Sequence, residues 1–199
     1  MNPIPLAAKP EDKRSQILSA ARRLLKEEGY QDIVLDDIAR VADVAKGTLY
    51  LYFRNKEDLF LAAFEDLVTQ LGEKLVFLLK SDKEGEALLT DTVRTILSHF
   101  DLNKDFVSQL ACGKVAGCGS KSSGKLLDKF SANVDVVVQI LRRCSSHGID
   151  IKDFPYSAVA LVGLCRSVMF QHMLTDSKEL MEKETRKVVN FFLNGASGR

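Results

Sequence analysis

Residues 44–56 read VAKGTLYLYFRNK, with one glycine, one threonine, two tyrosines and three cations in thirteen positions and no acidic residue among them. That composition suits contact with nucleic-acid phosphates. Directly before it, Leu35, Ile38, Ala39 and Ala42 recur at helical spacing. Directly after it, Asn55-Lys56-Glu57-Asp58 places an Asn and an Asp three apart, as in a capping box that opens a further helix. The order is helix, tight turn, short helix, helix, with the contact chemistry on the short helix. This is the plan of a helix-turn-helix DNA reader.

Upstream, Ile17, Leu18, Ala20, Ala21, Leu24 and Leu25 form an apolar stripe, while Arg22, Arg23, Lys26, Glu27 and Glu28 fill the opposite face. Gly29 ends that helix as a residue that adopts a left-handed C-terminal position. Taken together, KRSQILSAARRLLKEEGY, LDDIARVADVAKGTLYLYF and RNKEDLF resemble the N-terminal domain of the TetR family of transcriptional regulators over roughly residues 13 to 64. Gly-Thr-Leu-Tyr followed by Tyr-Phe and then Lys-Glu-Asp-Leu is far more specific than a bare helix-turn-helix pattern. The resemblance implies an all-α chain with a helix-turn-helix domain followed by a helical ligand-binding and dimerisation domain. The boundaries expected are 1–12 for an N-terminal arm, 13–58 for the DNA-binding domain and 59–199 for the effector-binding and dimerisation domain.

Each contact residue has a mechanical reason. Gly47 lets the backbone approach a groove wall closely. Thr48 is short enough to donate to a phosphate or touch a thymine methyl. Lys46 sits on the exposed first turn and is the candidate for reading base edges. Tyr50 and Tyr52 join an apolar ring to a hydroxyl donor, and Lys56 would clamp the backbone from the next helix. Leu49 and Phe53 continue the apolar pattern and hold the short helix on its neighbours. Three positions depart from the usual wording of the family. Ile33-Val34 stands where a capping Thr or Ser is usual, Asp43 occupies the turn position that is usually glycine, and Ala45 replaces a capping Ser. Asp36 and Asp37 favour a helix N-terminus but would repel DNA if they faced it.

The chain has 199 residues, 46 % of them hydrophobic, and a formal net charge of +1. Residues 1–64 hold ten Lys plus Arg against ten Asp plus Glu, so a DNA-binding surface has to be a local patch. The N-terminus lacks the cationic start and apolar core of a signal peptide, and no apolar run approaches the ~18 residues of a membrane span, so a cytoplasmic protein with no membrane partner is expected. Lys9, Lys13 and Arg14 could add phosphate contacts. Four cysteines, Cys112, Cys118, Cys144 and Cys165, fit a reduced chain. Cys144 and His147 have ligand types at plausible spacing, and a redox or metal-sensing role for Cys112, Cys118, Cys144 and His147 is the sharper alternative to small apolar fillers. No metal site or cofactor is expected. There is no phosphate loop, zinc-protease helix or nucleophile elbow, which argues against an enzyme.

Beyond Glu57 the pattern is helical throughout. Phe60, Ala63, Phe64, Leu67, Leu71, Leu75 and Leu78 form one stripe to about Lys80, and further helices are expected near 84–100, 104–117, 123–146, 155–174 and 178–194. The helix after Pro155 has two apolar stripes: Ala158, Leu161, Cys165, Val168 and His172, and beside it Val159, Val162, Arg166, Met169 and Met173. One stripe suits its own core and the other a second copy of the chain. Val159, Val162, Arg166, Val188 and Phe192 are the candidate homodimer residues, an arrangement the resemblance also implies. Phe100, Phe106, Gln109, Phe130, Arg166, Met169, Phe170 and His172 are candidates for lining an effector pocket, with ordinary core packing as the alternative for each. His99 is a further polar candidate. The expected function is a homodimeric regulator, in the first place a repressor, released from a palindromic DNA operator by a small-molecule effector. The alternative is control by a protein partner or by cysteine redox or metal state.

Overall fold

The computed structural model describes residues 10–111, 123–175 and 181–195. Among them are nine helices and no strand: α1 Pro10–Glu28, α2 Leu35–Val41, α3 Lys46–Tyr52, α4 Lys56–Leu79, α5 Gly85–Asp101, α6 Lys104–Ala111, α7 Ser123–Ser145, α8 Phe154–Thr175 and α9 Met181–Asn194. The chain divides into two compact units, residues 1–66 with 105–122, and residues 67–104 with 123–199. α1 begins with Pro10, inside the segment expected as an arm, because proline's missing N–H costs nothing in a first helical turn.

In the first unit, the six apolar residues of the α1 stripe, Ile17 to Leu25, are all buried. Gly29 closes α1 with φ +82°, the left-handed conformation expected of it. Leu59, Phe60 and Ala63 of α4 complete the core, with the Tyr30 ring edge-on to Phe60 at 5.2 Å and Phe106 stacked on Phe60 at 6.2 Å. The half-buried Arg22–Asp66 ion pair, at 2.7 Å, fastens α1 to α4.

The second unit is a helical bundle around Leu75, Leu88, Leu89, Val93, Ile96, Val137, Ile140, Leu141, Ala158 and Leu161. α5 packs on α7, α8 and α9, and α7 packs on α8. Where α4 approaches α7, Gly72 leaves room for Asn133, whose side-chain amide donates to the Val68 carbonyl at 2.9 Å. A Cβ at Gly72 would meet the Asn133 Oδ1 at 2.3 Å. His99 is buried between a donor and an acceptor, with its Nδ1 3.1 Å from the Lys74 ammonium and its Nε2 3.0 Å from the Leu67 carbonyl. The carbonyl can only accept, so Nε2 carries the ring proton and Nδ1 accepts from Lys74.

α8 corrects one expectation from composition. Residues Phe154–Leu174 reach a mean hydropathy of 1.3 over 21 residues, so by length and composition this helix could cross a membrane. Its apolar character has another use within the bundle, because Ala158, Leu161 and Cys165 are fully buried in the core.

Candidate nucleic-acid interface

The turn between α2 and α3 is built around Asp43, which adopts φ +53°. The Val44 amide donates to the Ala39 carbonyl at 3.0 Å and the Asp43 amide to the Arg40 carbonyl at 3.2 Å. This pair of bonds is a Schellman closure, with Asp taking the left-handed place that glycine usually fills. Neither helix flanking this turn has a side-chain N-cap: Val34 precedes α2 and Ala45 precedes α3 without one. α4 does have one, since Asn55 Oδ1 accepts from the Asp58 amide at 2.8 Å. The Asp58 carboxylate reaches back to the Arg54 amide, one residue beyond the reciprocal partner of a standard capping box.

α3 is held by its inward face, where Leu49 is fully buried and Phe53, just past its end, is 2 % exposed. Thr48 and Tyr52 are half-buried at the flanks, and the Tyr52 ring lies 6.3 Å from that of Phe53. Lys46, Gly47, Tyr50 and Leu51 are exposed. Thus Lys46, Gly47 and Tyr50 share an outward arc, with Thr48 and Tyr52 beside it.

The cations around this arc are partly neutralised by their own chain. The Lys46 ammonium lies 2.7 Å from Asp36 Oδ2, and the hydrogen bond and charge of Asp36 raise its pKa, so it stays protonated. Arg40 is paired with Asp37 at 2.9 Å. Lys56, expected to clamp DNA, turns its ammonium to the α1–α2 connection, donating to the Ile33 carbonyl at 2.7 Å and to that of Gln31 at 3.3 Å. It also lies 4.4 Å from the centre of the Tyr30 ring, a cation–π contact. Partial burial lowers its pKa. The Tyr30 hydroxyl donates to Glu57 at 3.3 Å, and burial, reinforced by Glu57, pushes the phenol up to about 12.

Sequence reasoning passed over Leu51 and Arg54. Leu51 reads as one more core leucine in an apolar helix, yet it is 85 % exposed. The signal was phase, because with Leu49 and Phe53 inward a residue two places after Leu49 points away from the core.

The eight effector-pocket candidates do not form one site. Phe100, Met169 and His172 meet in a cleft with Leu97, Lys104 and Met173 whose volume is about 20 Å³, room for roughly one water molecule. Phe106 is instead in the core of the first unit, 3 % exposed against Phe60. Phe130 and Phe170 are 38 % and 58 % exposed, Arg166 is exposed on α8, and the Gln109 side chain lies outside the described residues.

Among the dimer candidates, Val159 is 59 % exposed, Arg166 is exposed, and Val162 and Phe192 are half-buried. Val188 is in the core of its own unit at 4 % exposure, because it shares the inward face of α9 with Thr185 and Val189. The exposed stripe of α8 runs Tyr156, Val159, Gly163, Arg166, Phe170, Leu174, one place out of phase with the expected Val162, Met169 and Met173. Cys144 is fully buried and its thiol is pushed up to about 11 by burial, while His147 lies on the surface 3.3 Å from Glu84. They form no common site, and no metal-ligand cluster occurs among the described residues. Cys112 and Cys118 lie outside those residues.

Residues 17–63 match the family described as bacterial regulatory proteins, tetR family. A fatty acid metabolism regulator protein of Bacillus subtilis is 35 % identical over 91 residues, which is 45 % of either chain. The uncharacterised regulator YhgD of the same organism is 38 % identical over 32 % of this chain and 33 % of its own. The chain thus matches less than half the length of these relatives. Among solved structures, the fatty acid degradation regulator FadR of Bacillus halodurans superimposes with a TM-score of 0.77 at 20 % identity over the whole of both chains. FadR of Bacillus subtilis, solved in complex with stearoyl-CoA, gives 0.74 at 21 % identity over 91 % of this chain and 98 % of its own. These likenesses, all to proteins named as regulators and none to an enzyme, extend the fold beyond the matched segment. With the left-handed Asp43 turn, the outward-facing Lys46-Gly47-Tyr50 arc and the tetR match over the same residues, residues 17–63 form a TetR-family helix-turn-helix domain.

Proposed function

We propose that the protein is a cytoplasmic homodimeric repressor that binds a palindromic operator through α3. The observation that carries this reading is the outward arc of α3, which presents Lys46, Gly47 and Tyr50 while Leu49 and Phe53 anchor the helix from below. Lys46 reads base edges, Thr48, Tyr50 and Tyr52 meet phosphates, and Gly47 admits the groove wall. Lys56 acts by fixing the 31–33 connection beside the reading helix, with its charge held near the duplex rather than clamped on it. Residues 13–58 serve as the DNA-binding domain and 59–199 as the effector-binding and dimerisation domain. The exposed stripe of α8 with Phe191 of α9, 45 % exposed, supports dimerisation, because an apolar helical face of this length calls for a second copy. A dimer places two recognition helices about 34 to 36 Å apart, one turn of DNA.

The effector proposed is an acyl amphiphile. Its apolar chain would enter the cleft at Phe100, where Met169, Met173 and Met181 are adaptable walls, with Lys104 and His172 as polar groups. Binding would shift the population toward a dimer that no longer matches the operator, with a coupling of about 1 to 3 kcal/mol. A cleft of only 20 Å³ supports a second reading, in which a protein partner controls DNA binding. A gel-shift titration on the DNA flanking the protein's own gene, with and without stearoyl-CoA, tests both. Equal affinity for that DNA and for random duplex would refute the repressor. Specific binding that stearoyl-CoA leaves unchanged would refute the acyl effector and favour the partner.

A further inference from the structure

We propose that Leu51 is a thymine reader, its side chain meeting the 5-methyl group of a thymine in the major groove and fixing the base preference there. The inference rests on the DNA-reading role of α3 proposed above. Leu51 is the most exposed large apolar side chain among the described residues, at 85 %, and it stands on the reading helix itself. At 3.6 residues per turn, the exposed residues follow one another around the helix as Lys46, Tyr50, Gly47, Leu51. Leu51 is therefore at one edge of the reading arc and Lys46 at the other.

The neighbourhood of Leu51 is open. A helical side chain leans toward the N-terminus of its helix and covers the surface over the preceding turn, which for Leu51 is the turn that begins at Gly47. A Cβ built at Gly47 would find no heavy atom within 4 Å. The leucine methyl groups thus project beside bare backbone, where a flat groove floor can come close. The rest of the arc is a cation, a phenol and a glycine, with the exposed Arg54 following, so it lacks the contiguous apolar area that a protein partner would require. Of the features that base edges present in the major groove, only the thymine methyl is apolar, and an apolar side chain is the group that recognises it.

The test uses the full-length protein and a random-sequence duplex pool. The duplex enriched by binding is resynthesised with deoxyuridine replacing thymine at each position in turn, which removes one methyl group and leaves base pairing intact. One position per half-site should respond, weakening binding about fourfold, or roughly fifteenfold when both half-sites are changed. Leu51→Ala should lose a similar factor on the thymine duplex and become indifferent to deoxyuridine at that position, with unchanged thermal unfolding. Leu51→Gln, selected on the same pool, should move the preferred base there toward adenine. If no deoxyuridine substitution weakens the wild-type protein, or if Leu51→Ala keeps the full sensitivity, the thymine assignment is overturned while DNA reading by α3 stands. A pool that enriches no sequence would overturn both.

Discussion

Asp36, in the first turn of α2, holds the Lys46 ammonium at 2.7 Å across the helix-turn-helix. Both side chains are more than half exposed, so the pair is screened and easily exchanged for a phosphate or a base. If Lys46 reads DNA as proposed, Asp36 competes with DNA for the cation and also places a negative charge near the polyanion. Replacing Asp36 with Asn is expected to tighten binding to any duplex by roughly threefold to tenfold and to steepen the dependence of log K on log salt by about one. Fluorescence anisotropy at several salt concentrations measures both. An unchanged slope would show that the Asp36–Lys46 pair lies too far from the duplex for its net charge to matter.

Tyr30 supplies a pH dependence of stability. The unfolded phenol ionises near its ordinary value of 10 and the folded one near 12, so the folded state retains its proton longer. Its contribution is complete below pH 10 and is lost as pH rises to 12, an effect of roughly 2 to 3 kcal/mol. Denaturant unfolding across this interval should fall more steeply for the wild type than for Tyr30→Phe. Parallel curves would remove the Tyr30–Glu57 contact from the account.

The two halves of the chain differ in how plainly their sequences state their structure. The α1 stripe, the left-handed Gly29 and Asp43, and the absent caps at Val34 and Ala45 were all legible, because each depends on local chemistry within a few residues. Lys56 was not, since its carbonyl partners lie 23 and 25 positions earlier and an exposed-looking lysine gives no sign of them. The phase of α8 was also missed. That helix is apolar on every side, so spacing alone could not say which stripe its own core would take, and the neighbours α5, α7 and α9 decided it. Phe106 and Phe130 were grouped by residue type, and type does not determine which unit a phenylalanine enters.

On α8, Val159 and Leu161 give opposite expectations. Val159→Glu puts a charge on the exposed stripe and should convert the proposed dimer to monomer in sedimentation equilibrium, while changing the unfolding free energy of the monomer by less than about 0.5 kcal/mol. Leu161→Ala opens a cavity in the bundle core and should cost about 2 to 5 kcal/mol. A Val159→Glu variant that remains dimeric would show that another face forms the interface.

Burial holds the Cys144 thiol near 11 and that of Cys165 near 12. At neutral pH Cys144 should alkylate on the order of a hundredfold, and Cys165 on the order of a thousandfold, more slowly in the native protein than after unfolding. Peptide-resolved mass spectrometry after brief iodoacetamide treatment checks this. Rapid labelling of Cys144 would revive a sensing role for that residue.

The two seven-residue helices of the reading head, α2 and α3, begin without side-chain caps. Helices so short have almost no autonomy in water, so their order is borrowed from the apolar floor of Ile38, Leu49 and Phe53. On the DNA-reading role proposed for α3, operator preference is then open to change from underneath. A modest swap at Leu49 would tilt the whole lettering of α3 against the groove without altering a single residue that touches DNA, giving evolution a dial for specificity hidden beneath the contact layer.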